Sequence, residues 1–372
     1  MVKQGEKWRL CIDFRAVNKI TMADGSPVPN MMDTLYKLVG GKIFSQMDIA
    51  KCYHQLMMAE DARPKTAFSV GLQHYEYFVV PFGLKNVPGA VVRFLCGHVF
   101  ADLDEEPLGV FIDDMNAATK DHVPLRTLLA KIFDRLRKHG LVLRSEKCLF
   151  GSKSIKTLGF IIDQQGIRPD EAKLEAIKHY PVPTTPKELR SFLGLVNFNG
   201  FFVAKLQDTL SPLNAAVSQC PQTFKLGPRE LQAFYKAKEL FMNELRLRLP
   251  DFSQPFRITT DASQTGIAGI LSQLDEAGQN WPIAFFSRSL LEHRDLTSRH
   301  LEHYAFLQTC RHWRQFLLGQ QFVWVTDHKP LQHEQLIENS RIRRWDMELK
   351  EYDYVTDWVR GSENALADAL KA

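Results

Sequence analysis

The chain has 372 residues, 45% of them hydrophobic and 24% charged, with 21 Gly and 18 Pro. At roughly 150 residues per domain this length holds two or three domains, and the composition excludes disordered, collagen-like and disulfide-scaffold proteins. The formal charge of +4 hides an uneven split: residues 1–162 carry 22 basic against 17 acidic side chains, 163–250 carry 12 against 9, and 251–372 carry 13 against 17.

No apolar run approaches the roughly 18 residues of a membrane helix, and MVKQGEKWRL lacks the apolar stretch of a signal peptide. The expectation is an intracellular protein with no membrane partner. Along the first segment, strand-like runs (43–48, 75–81, 108–112, 155–162) alternate with helix-like ones near 30–39, 84–100 and 125–139, an α+β pattern. From 170 to 248 strand signals nearly vanish, and EAKLEAIKHY, PKELRSFLGLVNFNGFF and PRELQAFYKAKELFMNELRLRL have helical spacing with Pro in the first turn. Pro250 and Pro255 punctuate the next boundary. FRITTDAS, a helical stretch over 299–317 and QFVWVTD then form another α/β unit. The expected domains are therefore 1–162, 163–250 and 251–372. Cys11, Cys52, Cys96, Cys148, Cys220 and Cys310 lie far apart without a C-x-x-C and read as reduced packing residues.

Two sets of carboxylates carry chemistry. Asp113 and Asp114 follow the apolar run LGVFI, and Asp48 closes IFSQMD. Three carboxylates gathered on neighbouring strands repel one another unless cations are present, which suggests hard metals with oxygen ligands. Two Mg²⁺ ions roughly 3.5–4 Å apart would serve an in-line phosphoryl transfer. Taken alone, Asp-Asp is a solvated turn, Tyr53 a core aromatic and Arg9 a surface arginine. Seven basic residues, Arg126, Lys131, Arg135, Arg137, Lys138, Arg144 and Lys147, read equally as a phosphate-binding face or a solvated helix.

For Asp113-Asp114, Tyr53 and Arg9 the surrounding motifs weigh against the bland reading. They are WRLCIDFRAVNKIT (8–21), FSQMDIAKCYHQLMM (44–58), RPKTAF (63–68), HYEYFVVPFGLKNVP (74–88), FIDD (111–114), HGLVLRSEKCLF (139–150), LGFIIDQQGIRPD (158–170) and PKELRSFLGLVNF (186–198). Together they resemble the reverse transcriptases of gypsy-type long-terminal-repeat retrotransposons, from about residue 7 to 370. The resemblance implies that Asp48, Asp113 and Asp114 bind metal and are catalytic. It implies that Tyr53 closes beneath the incoming sugar, that Arg9 contacts the triphosphate, and that Leu158-Gly159-Phe160 grips the primer end.

In the last third, Asp261 and Asp327 end β-type runs while Glu302 and Asp368 lie on helical ones. Four carboxylates again suggest two metals, here activating water. With LPDFSQPF, TDASQTGIAGILSQ, FFSRSL, HWRQFLLGQQFVWVTDHKPL and RRWDMELKEYDY, this segment resembles the ribonuclease H domain that follows gypsy-type polymerases. Asp261, Glu302, Asp327 and Asp368 match its metal-binding, catalytic carboxylates.

The implied fold is α+β and multidomain: a right-hand polymerase palm (ferredoxin-like) with truncated fingers, a helical thumb and connection, and an α/β ribonuclease H-like domain. The implied function is RNA-directed DNA polymerase coupled to RNA cleavage in hybrids, from a retrotransposon polyprotein. Two Mg²⁺ per site are expected, with Mn²⁺ as the alternative ion. The implied partners are RNA template, DNA primer, RNA–DNA hybrid, deoxynucleoside triphosphates and other polyprotein products, in cytoplasmic virus-like particles or the nucleus. The alternatives are a degenerate or domesticated relic that binds nucleic acid or a partner without polymerising, and a chain that retains only the nuclease. Several departures feed those alternatives. The first family motif begins at Trp8, and Gly89-Ala90-Val91-Val92 replaces the usual Ala-Thr-Phe-Gln of the nucleotide and template surface. Cys52, Phe111, Met115-Asn116 and His300 are smaller changes.

Overall fold

The computed structural model describes all residues except 1, 5–6, 26–29, 220–223, 243–244, 264–265, 276, 291–296, 327–339 and 360–372. It divides into two compact units, Met1–Leu158 with Ile162–Gln164, and Gly159–Ile161 with Gln165–Ala372. These units do not follow the expected segment bounds: residues 159–161 lie in the second unit and 162–164 in the first, and the second unit spans both 165–250 and 251–372.

The first unit opens with the hairpin β1 (Val2–Gln4) and β2 (Lys7–Arg9), then α1 (Arg15–Ile20) and α2 (Met31–Tyr36). After β3 (Ile43–Asp48) comes a small hairpin, β4 (Phe68–Val70) and β5 (Gln73–Tyr75), and then α3 (Val87–Phe94). The chain continues through β6 (Leu108–Phe111), β7 (Asp114–Thr119), α4 (His122–Lys138) and β8 (Leu149–Ser152). The four strands β6-β7-β3-β8 form one antiparallel sheet. Its Met47 and Met115 share a buried core with Val91 and Leu95 of the α3 region and with Leu125, Leu128, Ile132 and Leu136 of α4. Those four α4 positions recur at helical spacing, Asp121 accepts the Val123 N–H at 2.9 Å as N-cap, and Arg135, Arg137 and Lys138 close the last turn.

Two expected strands differ from what forms. Over 75–81 there is no continuous strand beyond Tyr75. Met58 and Val80 each donate one backbone bond, to Phe78 and Leu56, at 2.9 Å, so this stretch bridges to 56–58 without a ladder. The run 155–162 is two strands, β9 (Ser154–Thr157) and β10 (Phe160–Asp163), because Leu158 (φ 52°) and Gly159 (φ 86°) turn the chain between them. β11 (Gly166–Pro169) follows.

In the second unit β11 is followed by four helices, α5 (Glu171–Lys178), α6 (Pro186–Phe198), α7 (Leu206–Gln219) and α8 (Pro228–Leu240). Pro186 and Pro228 sit in the first turn as expected, where a missing N–H costs no helix bond. Phe192 on α6 and Phe234 on α8 join the helices through fully buried rings 4.6 Å apart. A five-stranded sheet follows, built from β12 (Arg257–Ala262), β13 (Gly266–Leu274), β14 (Asn280–Ser289), β15 (Phe322–Thr326) and β16 (Tyr354–Trp358). Its order is β14-β13-β12-β15-β16, antiparallel across the first three strands and parallel for β12-β15 and β15-β16. Between β14 and β15 run α9 (Ser298–His312) and α10 (Arg314–Leu317), and α11 (Ser340–Leu349) precedes β16. Phe306 of α9 stacks on Trp324 of β15 at 3.9 Å, and the Trp324 indole N–H donates to Thr260 Oγ1 at 3.1 Å, fixing α9 over the sheet.

Among the described residues no helix is long and apolar enough to cross a membrane. The five described cysteines are free, but Cys11 and Cys96 are exposed and so are not packing residues.

Candidate active sites

In the first unit β3 is the strand that gathers the carboxylates. Asp48, its last residue, pairs in register with Asp114, the first residue of β7. Asp113 stands in the turn between β6 and β7, and its carbonyl accepts the Ile49 N–H at 3.0 Å, which fixes the turn against the end of β3. The turn begins with Ile112 at φ 56°, a left-handed conformation that a β-branched residue adopts only under strain. Asp48 is buried, Asp114 half-buried and Asp113 exposed.

The electrostatics follow from that spacing. Burial, reinforced by the charges of Asp113 and Asp48 and offset by Lys147, pushes the Asp114 carboxyl up to about 6. On the other side of Asp48, Arg144 N–H donates to the Asp48 carbonyl at 2.8 Å, and a single turn over 145–147 brings Lys147 Nζ to 2.6 Å from Asp48 Oδ2. The sequence reading counted Lys147 only as one of seven basic residues. Its sole local signal was the motif SEKCLF, which says nothing of a partner 99 positions away.

Asp48, Asp113, Arg144 and Lys147 border a cleft of 720 Å³ whose walls also include Tyr53 and Phe82. Tyr53 rides on the short turn Cys52–Gln55, entered through Lys51 at φ 48°. Gln55 ties that turn down, donating to the Ala50 and Val142 carbonyls and accepting the Val142 N–H at 2.7 Å. The Tyr53 ring lies 5.3 Å from Phe82, a cleft wall that sequence reasoning did not single out. Burial first, and then the Asp113 charge, raises the Tyr53 hydroxyl above its ordinary value. Val91 and Val92 do not line the cleft. Both are buried, Val91 completely, so the departure from Phe-Gln falls on core packing. Arg9 ends β2, and its side chain lies outside the described residues.

Leu158 ends the first unit's continuous stretch, while Gly159 and Phe160 belong to the second. A Cβ at Gly159 would collide with Lys173, whose ammonium sits 3.5 Å above the Phe198 ring. Phe160 is fully buried and stacks on Phe198 at 5.3 Å, so its ring is a packing element.

In the nuclease-like sheet Asp261 lies near the end of β12. The buried Glu302, on α9, accepts the Ala262 N–H at 3.0 Å, so it stands beside Asp261. β15, parallel to β12, ends at Thr326, immediately before Asp327. Asp327 and Asp368 lie outside the described residues. Lys205, which sequence reasoning missed and no local motif marks, forms an ion pair with Asp261. Among the described residues no three His, Cys, Asp or Glu side chains are grouped closely enough to hold a metal ion.

Comparison with known proteins gives these sites a family. Residues 1–162 match the model for reverse transcriptase (RNA-dependent DNA polymerase), and 251–352 match that for the RNase H-like domain found in reverse transcriptase. The retrovirus-related Pol polyprotein from transposon 297 of Drosophila melanogaster is 35% identical over 98% of this chain and 34% of its own length. That from transposon opus is 33% identical over 98% of this chain and 38% of its own. The Tf2-3 polyprotein of Schizosaccharomyces pombe is 26% identical over 97% of this chain and 28% of its own. The chain thus spans about a third of these relatives' length. Among solved structures, a foamy viral protease-reverse transcriptase in complex with RNA/DNA hybrid superimposes with TM-score 0.83 at 21% identity, over 95% of this chain and 49% of that one. The same protein in complex with dsDNA gives 0.85 at 21% identity, over 97% of this chain and 76% of that one. Residues 1–162 thus form a reverse transcriptase domain and residues 251–352 an RNase H-like domain of the kind found in reverse transcriptase, and the chain as a whole is similar to retrotransposon Pol polyproteins.

Proposed function

We propose that this chain extends a DNA primer on an RNA template at the Asp48, Asp113 and Asp114 cleft, and cleaves the RNA of the resulting hybrid at Asp261 and Glu302 with Asp327 and Asp368. The observation that carries the reading is the pairing of Asp48 with Asp114 on neighbouring strands, with Asp48 and Asp113 lining a cleft large enough for a nucleotide. Burial first, and then the charges of Asp113 and Asp48, keep the proton on Asp114 up to about 6, and a divalent cation would relieve the repulsion among the three carboxylates. Asp48, Asp113 and Asp114 are not grouped closely enough in this structure to hold a metal ion together, so a metal at the first site would have to draw their carboxylates in, and Asp261 and Glu302 would hold one in the second. When bound, Mg²⁺ supplies activation of a primer hydroxyl or a water and stabilisation of the leaving group.

The chain's own side chains then have distinct tasks. Tyr53, held by Gln55 and flanked by Phe82, forms the floor on which the sugar of a deoxynucleoside triphosphate rests. Arg144, on the cleft wall, presents a cation to its phosphates, while Lys147 is held by Asp48. Glu302, fixed by the Ala262 N–H, keeps its carboxylate beside Asp261 without searching rotamers.

The test uses purified protein with Mg²⁺ on a primed RNA template and, separately, on a labelled RNA–DNA hybrid. Asp113→Asn should lower extension by at least a hundredfold while hybrid cleavage persists, and Asp261→Asn should do the reverse. Wild-type protein that cleaves hybrid but extends no primer would refute the polymerase half and leave a nuclease.

A further inference from the structure

Lys205 stands on the turn before α7, far from the nuclease-like sheet in sequence, yet its ammonium is paired with the Asp261 carboxylate. Both side chains are largely buried, at 26% and 22% exposure. The placement is built. The Lys205 carbonyl accepts the Asp208 N–H at 3.1 Å and so starts α7. Two residues on, Gln207 N–H donates to Ser287 Oγ of β14 at 3.3 Å. Asp208 packs so closely on Gly266 that a Cβ there would collide with its carboxylate. Ser287 pairs across the sheet with Ala268, and Ala268 with Asp261, so the start of α7 is anchored to the same rank of residues that carries Asp261. Finally, Lys205 holds φ 50°, a conformation that glycine adopts freely and a side chain only with strain. The turn itself does not call for a lysine; what the lysine supplies is a cation at Asp261.

We infer that Lys205 is a positioning residue of the nuclease site that competes with divalent cation for Asp261, so that the helical segment sets how readily this site loads metal. The ammonium neutralises Asp261 and holds its carboxylate in place. It carries one charge where a divalent ion carries two, so the metal displaces it once its concentration is high enough. The inference rests on the reading of Asp261 as a metal ligand.

Mn²⁺ binding to the full chain, followed by the paramagnetic signal of the free ion in an Asp48→Asn background that weakens the first site, separates the two ideas. Lys205→Gly, which relieves the backbone strain and removes the charge, should bind Mn²⁺ about three- to tenfold more tightly. Lys205→Met should do the same with the aliphatic stem retained, and Lys205→Arg should restore the parent affinity. Equal affinity in parent, Gly and Met variants, with binding still lost in Asp261→Asn, overturns the competition and leaves Asp261 a ligand. Unchanged binding in Asp261→Asn overturns the ligand assignment and the inference with it.

Discussion

Four non-glycine residues among those described hold a left-handed backbone: Lys51, Ile112, Leu158 and Lys205. None is Asn or Asp, the side chains that tolerate this conformation best. Lys51 introduces the Tyr53 turn, Ile112 precedes Asp113, Leu158 opens the expected primer-end turn and Lys205 meets Asp261. Strain of about 1–3 kcal/mol at each is thus concentrated where chemistry is proposed. Asp114 stores cost of another kind. Its carboxyl titrates at about 6 in the folded chain, against 3.8 ordinarily, because burial and then Asp113 and Asp48 disfavour its charge. The folded state therefore holds this proton more tightly than the unfolded state. Stability from this group is complete below about pH 4 and is lost as pH rises through 6. A shift of this size corresponds to roughly 3 kcal/mol in full, and solvent screening at a half-buried side chain reduces it to about 1–2 kcal/mol. Urea unfolding in chelator should show wild type losing that amount between pH 4.5 and 7.5, with the loss absent in Asp114→Asn and reversed by Mg²⁺ in wild type. An Asp114→Asn curve parallel to that of wild type would refute this account of the site.

At the scale of elements, the β6–β7 hairpin and β9 are joined by one buried polar contact. Asn116 of β7 donates from Nδ2 to Thr157 Oγ1 at 2.9 Å, with both residues almost wholly inaccessible and Asn116 Oδ1 lacking a partner. Removing one member leaves the other unpaired in the core, so Asn116→Leu and Thr157→Val should each destabilise by about 1–3 kcal/mol. The double variant should fall short of the sum by about 1 kcal/mol, since no polar group is then left orphaned. Additive denaturation midpoints would show that the contact carries nothing. Asn116 was visible in the sequence only as a polar residue where apolar ones are usual, and its partner could not be read because strand pairing is non-local. The same limit recurs elsewhere. β3 and α4 were legible because their apolar residues keep period and their ends are marked. β13 was not, since GIAGILSQL is rich in small residues and becomes a strand through its neighbours on both sides. Asp48, Asp113, Asp114 and Asp261 were legible through their motifs. Lys147 and Lys205 reach them through turns whose geometry no local pattern encodes.

At the scale of the whole chain, the uneven charge makes a claim about how nucleic acid is held. The first 162 residues carry 22 basic against 17 acidic side chains and the next segment 12 against 9, while the last carries 13 against 17. The expected basic face over 126–147 is only partly available to phosphate. Lys131 is paired with Glu106 at 2.5 Å, Arg135 with Asp102, and Lys147 with Asp48. Arg126, Arg137 and Lys138 of α4 form no ion pair of this kind among the described residues, nor does Arg144 at the cleft. If the proposed hybrid is held by its backbone through roughly five to eight phosphate contacts, the logarithm of its affinity should fall against that of salt concentration with a slope of about −4 to −7. Anisotropy of a labelled hybrid between about 50 and 200 mM NaCl measures this directly. Arg144→Ala and Lys138→Ala should each make the slope shallower by about one, whereas Lys131→Ala should leave it unchanged because Glu106 already neutralises that ammonium. A slope shallower than about −2 in wild type would mean that the positive excess of the first two segments is not the surface the hybrid lies on. Recognition would then have to come from base and sugar contacts in the cleft.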